Sequence, residues 1–161
     1  MPTPSYTWIK DNSGTDIKGS VQIAGREGTC EIMEFHHNLH IPTDPHTGKL
    51  TGVRMHSPVV IVKSYDSASP YLYKACCEGQ TLKEVTVKWY AIDDTGAEKE
   101  YFVHKLENVK VAAMKAHMPN TKDPDKERYV HLEEVALVYG KITWTYVDGN
   151  IEYVDEWTAQ K

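Results

Sequence analysis

A chain of 161 residues has the length of one domain rather than two. At this size folding removes roughly 68–70% of the unfolded chain's surface from water, so neither disulfides nor a metal is needed to hold a core. Its 18 Lys and Arg stand against 23 Asp and Glu, a net charge of −5 with histidine neutral. No basic block occurs, which excludes the clustered positive surface that nucleic-acid phosphates demand.

The chain starts Met1-Pro2-Thr3-Pro4-Ser5-Tyr6, without the basic segment and apolar stretch of a secretory leader, and no apolar run approaches the ~20 residues that span a bilayer. The expectation is a protein made and folded in the cytoplasm, not inserted in a membrane, and carried by something other than a cleaved signal if it leaves the cell. Alternation of period two then dominates. Between Cys30 and Ile41 one face reads Met33, Phe35, His37, Leu39, Ile41 and the other Glu34, His36, Asn38, His40, which predicts one long strand with an apolar side. A second strand runs from Val53 to Lys63, apolar on both faces through Val59-Val60-Ile61-Val62 and so covered on both. Ser69-Pro70 predicts a helix start, Ser as N-cap and Pro in the first turn, with Leu72, Ala75 and Cys76 at helical spacing and Gly79 as the stop. A third strand spans Leu82 to Ile92; the turn Asp93-Asp94-Thr95-Gly96 leads to Glu98–Leu106. Glu107 to Met118 and Tyr129 to Tyr139 are read as two further strands, separated by a polar loop. Asp148-Gly149-Asn150 joins two late strands, Lys141–Val147 and Ile151–Asp155. No repeat or linker divides the chain. The predicted fold is all-β with one short flanking helix: two packed, antiparallel-rich sheets forming a β-barrel, in a single domain over 1–161.

Candidate chemistry is sparse. His36-His37-x-x-His40, His46 and His56 invite a metal, but zinc needs three or four converging ligands. On a strand, His36 and His40 stand roughly 13 Å apart; these histidines read as polar-face and loop residues, with no metal and no cofactor. Three cysteines, Cys30, Cys76 and Cys77, make a poor disulfide framework and point to a reducing compartment; Cys76 is expected to pack inward and Cys77 to sit at the helix flank. The pairs Glu133-Glu134 and Asp155-Glu156 alternate faces on strands, and Asp93-Asp94 is turn chemistry, so none forms an acid–base couple by itself. Gly25-Arg-Glu-Gly28 is too sparse to cradle a phosphate. Nothing resembles a catalytic centre, and no enzyme is expected. Four tryptophans and ten tyrosines exceed what one small barrel hides easily, which favours an oligomer.

The segment Pro42, Thr43, Asp44, Pro45, His46, Thr47, Gly48, Lys49, Leu50, Thr51, Gly52 is longer than the two to five residues of an ordinary hairpin loop. Its prolines stiffen it, so it reads as a projecting arm, with Asp44, Lys49 and Arg54 offering polar contacts.

Residues 41–58, with a Pro-Thr-Asp-Pro loop and a Gly-x-Arg-x-His-x-Pro strand start, residues 64–79 with an Asp-x-x-Ser-Pro helix start, and the closing stretch 132–146 together resemble the Hcp family of type VI secretion. The resemblance covers about residues 30–157; residues 1–28 match less clearly, 120–128 look variable, and neither stretch is given a role. It implies a barrel with one helix, hexameric rings stacked into the inner tube of the secretion machine, a contractile sheath around that tube, a VgrG-type spike at its tip, and effector cargo in the lumen. It also implies that subunits are expelled; in such a stack the length, prolines and polar edge residues of the arm 42–52, with Arg54, lead to the expectation that it projects from one ring and contacts the next. A phage-type tail tube protein and a monomeric ligand-binding barrel are the alternative readings.

Overall fold

Residues 3–157 are described by the computed structural model. Before the helix run β1 (Ser5–Lys10), β2 (Asp16–Ile17), β3 (Cys30–Ile32), β4 (Glu34–His36), β5 (Leu39–His40), β6 (Met55–His56) and β7 (Val59–Ser64). The helix α1 (Ser69–Glu78) is followed by β8 (Thr81–Ile92), β9 (Glu98–His117), a 3-10 turn at Pro124–Lys126, β10 (Leu132–Val138), β11 (Lys141–Tyr146) and β12 (Ile151–Glu156). A ten-stranded antiparallel sheet runs β2-β1-β8-β9-β10-β7-β4, with β3 beside β1 and β11–β12 beside β9; β5 and β6 pair separately. The fold is all-β with one helix, as the alternation predicts.

Closure differs from the expected pair of packed sheets. Apart from the β5–β6 pair the strands form one sheet, and its ring of ladders is not complete. β3 pairs with β1 (Thr7 opposite Cys30) and β4 pairs with β7 (Phe35 opposite Ile61). The chain itself carries from one end of the sheet to the other, through Met33, whose N–H donates to the Val62 carbonyl at 2.8 Å. The expected long strand Cys30–Ile41 is therefore broken into β3, β4 and β5. Serving two partners forces the break, and it turns Met33 outward, 48% exposed, while Cys30 and Ile32 stay buried. Leu39 and Ile41 are exposed as well.

The two strands expected over 98–118 are one strand of 20 residues, β9. β8 pairs with it from Thr81 opposite Lys110 to Ile92 opposite Glu98, while its other edge is shared by β10 and β11. The corner lies at Asn108, with φ +54, a conformation asparagine tolerates better than most residues. There the Gly140 N–H donates to both the Glu107 and Asn108 carbonyls at 3.0 and 3.1 Å. A Cβ on Gly140 would stand 3.3 Å from that of Asn108, so the bend needs a small residue opposite. The core beneath is built from fully buried Val59, Ile61, Val85, Leu106, Val135 and Ile142.

The helix packs on β9 through buried Leu72 and Ala75, with Cys76 partly buried and Cys77 exposed, as a spacing of ~100° per residue requires. Gly79 ends it in the left-handed region. Ser69 is not the N-cap: Ala68 holds that position without a side-chain bond. The Ser69 hydroxyl instead donates to Glu133 Oε1 at 2.6 Å and accepts from the Asp66 N–H and the Lys63 ammonium. Lys63 and Glu133 stand opposite one another on β7 and β10, both fully buried and ion-paired, with Asp66 Oδ1 3.0 Å from the same ammonium. Burial alone would lower the Lys63 pKa, but the bonds to Glu133 and Asp66 carry it above the usual lysine value. A buried group of opposite charges, in which Glu133 Oε1 takes every bond and Oε2 none, takes the serine that capping would otherwise have used.

Candidate interaction arm and its anchor

The long segment before β7 folds as a stiff hairpin. Its stem is β5–β6, with Leu39 opposite His56 and His40 opposite Met55, continued by the Ser57 N–H donating to Asn38 O at 3.0 Å. Further out the Thr51 N–H donates to Pro42 O, a bridge joins Thr43 to Leu50, and the Asp44 N–H donates to Lys49 O. At the tip Asp44 Oδ1 accepts from the His46 N–H at 2.8 Å and the Thr47 N–H at 3.4 Å, Thr47 Oγ1 accepts from the Lys49 N–H, and Gly48 takes φ +72. Pro42 faces Gly52 across the hairpin. The prolines thus cost no bond in the ladder, and they remove freedom that a glycine-rich loop would keep.

Pro45, His46, Thr47, Gly48, Lys49, Thr51 and Gly52 are exposed along with Thr43; Pro42 and Asp44 are half-buried. One expected contact group is spent inside the hairpin, since the Asp44 carboxylate bonds the tip's own backbone. The arm also presents apolar side chains that the sequence reading did not assign to it: Leu39, Val53 and Met55, beside Ile41 and Leu50, the last 65% exposed. Bare apolar side chains on a rigid hairpin suit contact with another surface rather than with water.

Arg54 stands at the base of the arm and not at its tip. Its Nε donates to Asp155 Oδ2 at 2.6 Å and its Nη2 to the Glu156 carbonyl at 2.9 Å. The next inward-facing stem residue, His56, has its side chain only 1% exposed. His56 Nε2 lies 2.7 Å from the same Asp155 oxygen, Nδ1 lies 2.6 Å from the Tyr139 hydroxyl, and the ring stacks on Trp157 with centroids 5.6 Å apart. The Tyr139 oxygen is also 2.8 Å from His37 Nε2. Four segments therefore meet at one point: the arm stem, the strand before it, the bend between β10 and β11, and β12. Burial alone would raise the Asp155 pKa, but Arg54 and His56 hold its carboxyl below the usual value; burial and the nearby Asp155 charge push the Tyr139 hydroxyl up. His37 is pushed down by burial and by His56.

His104 forms a second, half-buried polar contact, accepting the Trp89 indole N–H at Nδ1, 2.8 Å away. Reading His36, His37, His40, His46 and His56 as polar-face and loop residues thus needs correction for His56, which is buried, and for His37, which is half-buried and bonded to Tyr139. A carboxylate two strands away and a tyrosine at a bend give no local pattern in sequence; the one available signal was the His56-Ser57-Pro58 step closing the arm. Among the described residues no three His, Cys, Asp or Glu converge as metal ligands, and no helix is long and apolar enough to cross a membrane. Further apolar surface lies on the β11–β12 hairpin (Tyr146, Ile151, Tyr153) and at the far end of β9 (Met118, Tyr129, Val130).

Residues 6–146 match the family model described as type VI secretion system effector, Hcp. The chain is 37% identical to the major exported protein of Pseudomonas aeruginosa over 99% of its own length and 98% of that protein's. Among solved structures it is similar to a mutant of Hcp1 from the EAEC 042 pathovar of E. coli, with 52% identity and a TM-score of 0.87 over 97% of this chain and 99% of that one. It is also similar to the secreted protein Hcp3 of Pseudomonas aeruginosa, with 28% identity and a TM-score of 0.80 over 98% of this chain and all of that one. A barrel-like sheet with one helix, apolar surface left bare at several places, and these matches across nearly its whole length agree: the chain belongs to the Hcp family of type VI secretion.

Proposed function

We propose that this chain closes into six-membered rings which stack through the arm 42–52 into the inner tube of the secretion machine. Membership of the Hcp family makes it a secreted structural protein and a subunit of the type VI tube. The observation that carries the stacking role is the arm itself: a hydrogen-bonded hairpin, anchored at its base, that holds Leu50 and its apolar neighbours away from the barrel. A closed ring needs one repeated heterologous contact, and the bare side chains of the β11–β12 hairpin and of the β9 end supply apolar surface for it. The tube so formed would be tipped by a VgrG-type spike, surrounded by a contractile sheath, and able to carry effector cargo in its bore. Its subunits would be assembled in the cytoplasm and then exported.

Native mass spectrometry tests ring closure, with a six-subunit species expected and monomer alone refuting it. Replacing residues 43–51 with a two-residue Asn-Gly turn separates the two contacts. The expected result is an intact ring in the mass spectrum, loss of tubes in electron micrographs, and loss of the protein from culture supernatant. Normal tubes and export would make the arm a passive insertion, and collapse to monomers would place it in the contact within a ring.

A further inference from the structure

We propose that His37, Tyr139, His56 and Asp155 form a proton relay that seats the arm, with Asp155 as its positioning residue. For a neutral His56 the hydrogen-bond contacts allow one arrangement. An ionised carboxylate only accepts, so His56 Nε2, 2.7 Å from Asp155 Oδ2, carries a hydrogen. With His56 neutral, its Nδ1 is then bare and accepts the single Tyr139 hydroxyl proton across 2.6 Å. The Tyr139 oxygen, its own proton committed, must accept across its 2.8 Å contact to His37, so His37 is protonated at Nε2. Each histidine is thereby locked in one tautomer by the next group in line.

This chain can pass one proton inward. A solvent proton binds His37 Nδ1, reached from the open cleft that His37 lines with Phe35 and Pro58. As it does, the His37 Nε2 proton moves to the Tyr139 oxygen and the Tyr139 hydroxyl proton moves to His56 Nδ1. One proton has entered, no heavy-atom bond has changed, His37 is neutral in its other tautomer, and the positive charge sits on His56. The surroundings favour that end. His37 is hemmed in by burial and faces His104 and His56, whereas His56 bears directly on the Asp155 carboxylate. Among the described residues, Arg54 on the same oxygen and Tyr153 near Arg54 add further titratable or charged groups around the anchor. Acidification thus turns the bond from a neutral His56 to the Asp155 carboxylate into an ion pair and tightens the seat.

The inference takes the arm as a working element from the reading above, but its test reads imidazole protons and arm accessibility in the full-length protein, so either can fail alone. Nitrogen-15 spectra of labelled histidine should show His37 changing tautomer and His56 gaining charge at one shared midpoint. In Tyr139→Phe, which removes only the hydroxyl, His37 should keep its tautomer and the two midpoints should separate. Separate midpoints in the unsubstituted protein, or a shared one that survives in Tyr139→Phe, overturn the relay. Trypsin reads the seat. Cleavage after Arg54 should accelerate about tenfold or more in Asp155→Asn, the size expected when a charged acceptor is lost. It should also slow on mild acidification only where Asp155 is present, relative to cleavage after exposed Lys49. Unchanged cleavage after Arg54 in Asp155→Asn refutes the positioning role, and Tyr139→Phe keeps the relay testable should Asp155→Asn fold poorly.

Discussion

Acidification from about pH 7 to about pH 4.5 should destabilise this protein through His104, whose bond to Trp89 and whose burial both oppose a proton there. The Trp89 indole can only donate, and its N–H points at His104 Nδ1 from 2.8 Å. That nitrogen must be bare, and a proton arriving there would set two N–H groups against each other inside the barrel. Burial, and then the neighbouring His37, hold the His104 pKa down at about 4, against an ordinary 6.5. The folded value is the depressed one, so between those two values the unfolded chain binds a proton that the native one refuses, and stability falls as pH falls. Below the folded value both states are protonated and the loss is complete. At 1.36 kcal/mol per unit the whole step is about 3 kcal/mol, and most of it is spent by about pH 4.5. Urea unfolding at fixed protein concentration, followed by tryptophan fluorescence across this range, measures it. His104→Gln cannot titrate yet keeps an acceptor for Trp89, so its stability should fall less with acid by about that amount. If the two proteins lose stability in parallel, His104 does not carry the acid sensitivity and the reasoning from the indole bond fails.

Leu72→Ala should cost about 2–5 kcal/mol in thermal or urea unfolding, because Leu72 is wholly buried and its removal leaves a cavity under the helix. Lys63→Met should cost about 3–5 kcal/mol, since it strands the buried Glu133 carboxylate; a smaller loss would mean that Glu133 takes up a proton at little cost. Asp155→Asn should destabilise more at neutral pH than near about pH 3: the folded Asp155 pKa is depressed, so its contribution is present above the ordinary carboxylate value and disappears as pH falls through the folded one. Chelator added to untagged protein should leave the melting curve unmoved, and a clear drop would reveal a structural metal.

Local patterns in the chain were enough for much of this protein. Alternation marks β8, β10 and β11, because a half-buried strand must place every second residue in the core, and an unbroken apolar run marks β7; Pro70 and Gly79 mark the helix, because each takes a backbone geometry that few residues share. The arm was legible too, since Pro42, Pro45, Gly48 and Gly52 rule out a plain continuation of either flanking strand. Tertiary structure decided whatever depended on partners distant in the chain. The break at Met33 follows from one segment pairing with both β1 and β7, and the fusion of the strands over 98–118 follows from β8 running past the corner at Asn108. Ser69 gave up its cap because Lys63 and Glu133 meet across β7 and β10 only once those strands are in register. The anchor of the arm is the extreme case: Arg54 and Asp155 lie 101 residues apart, and His37 and Tyr139 102. Contacts at that separation are set by the order in which distant strands pair in the sheet, and no period of two or of 3.6 carries a trace of them.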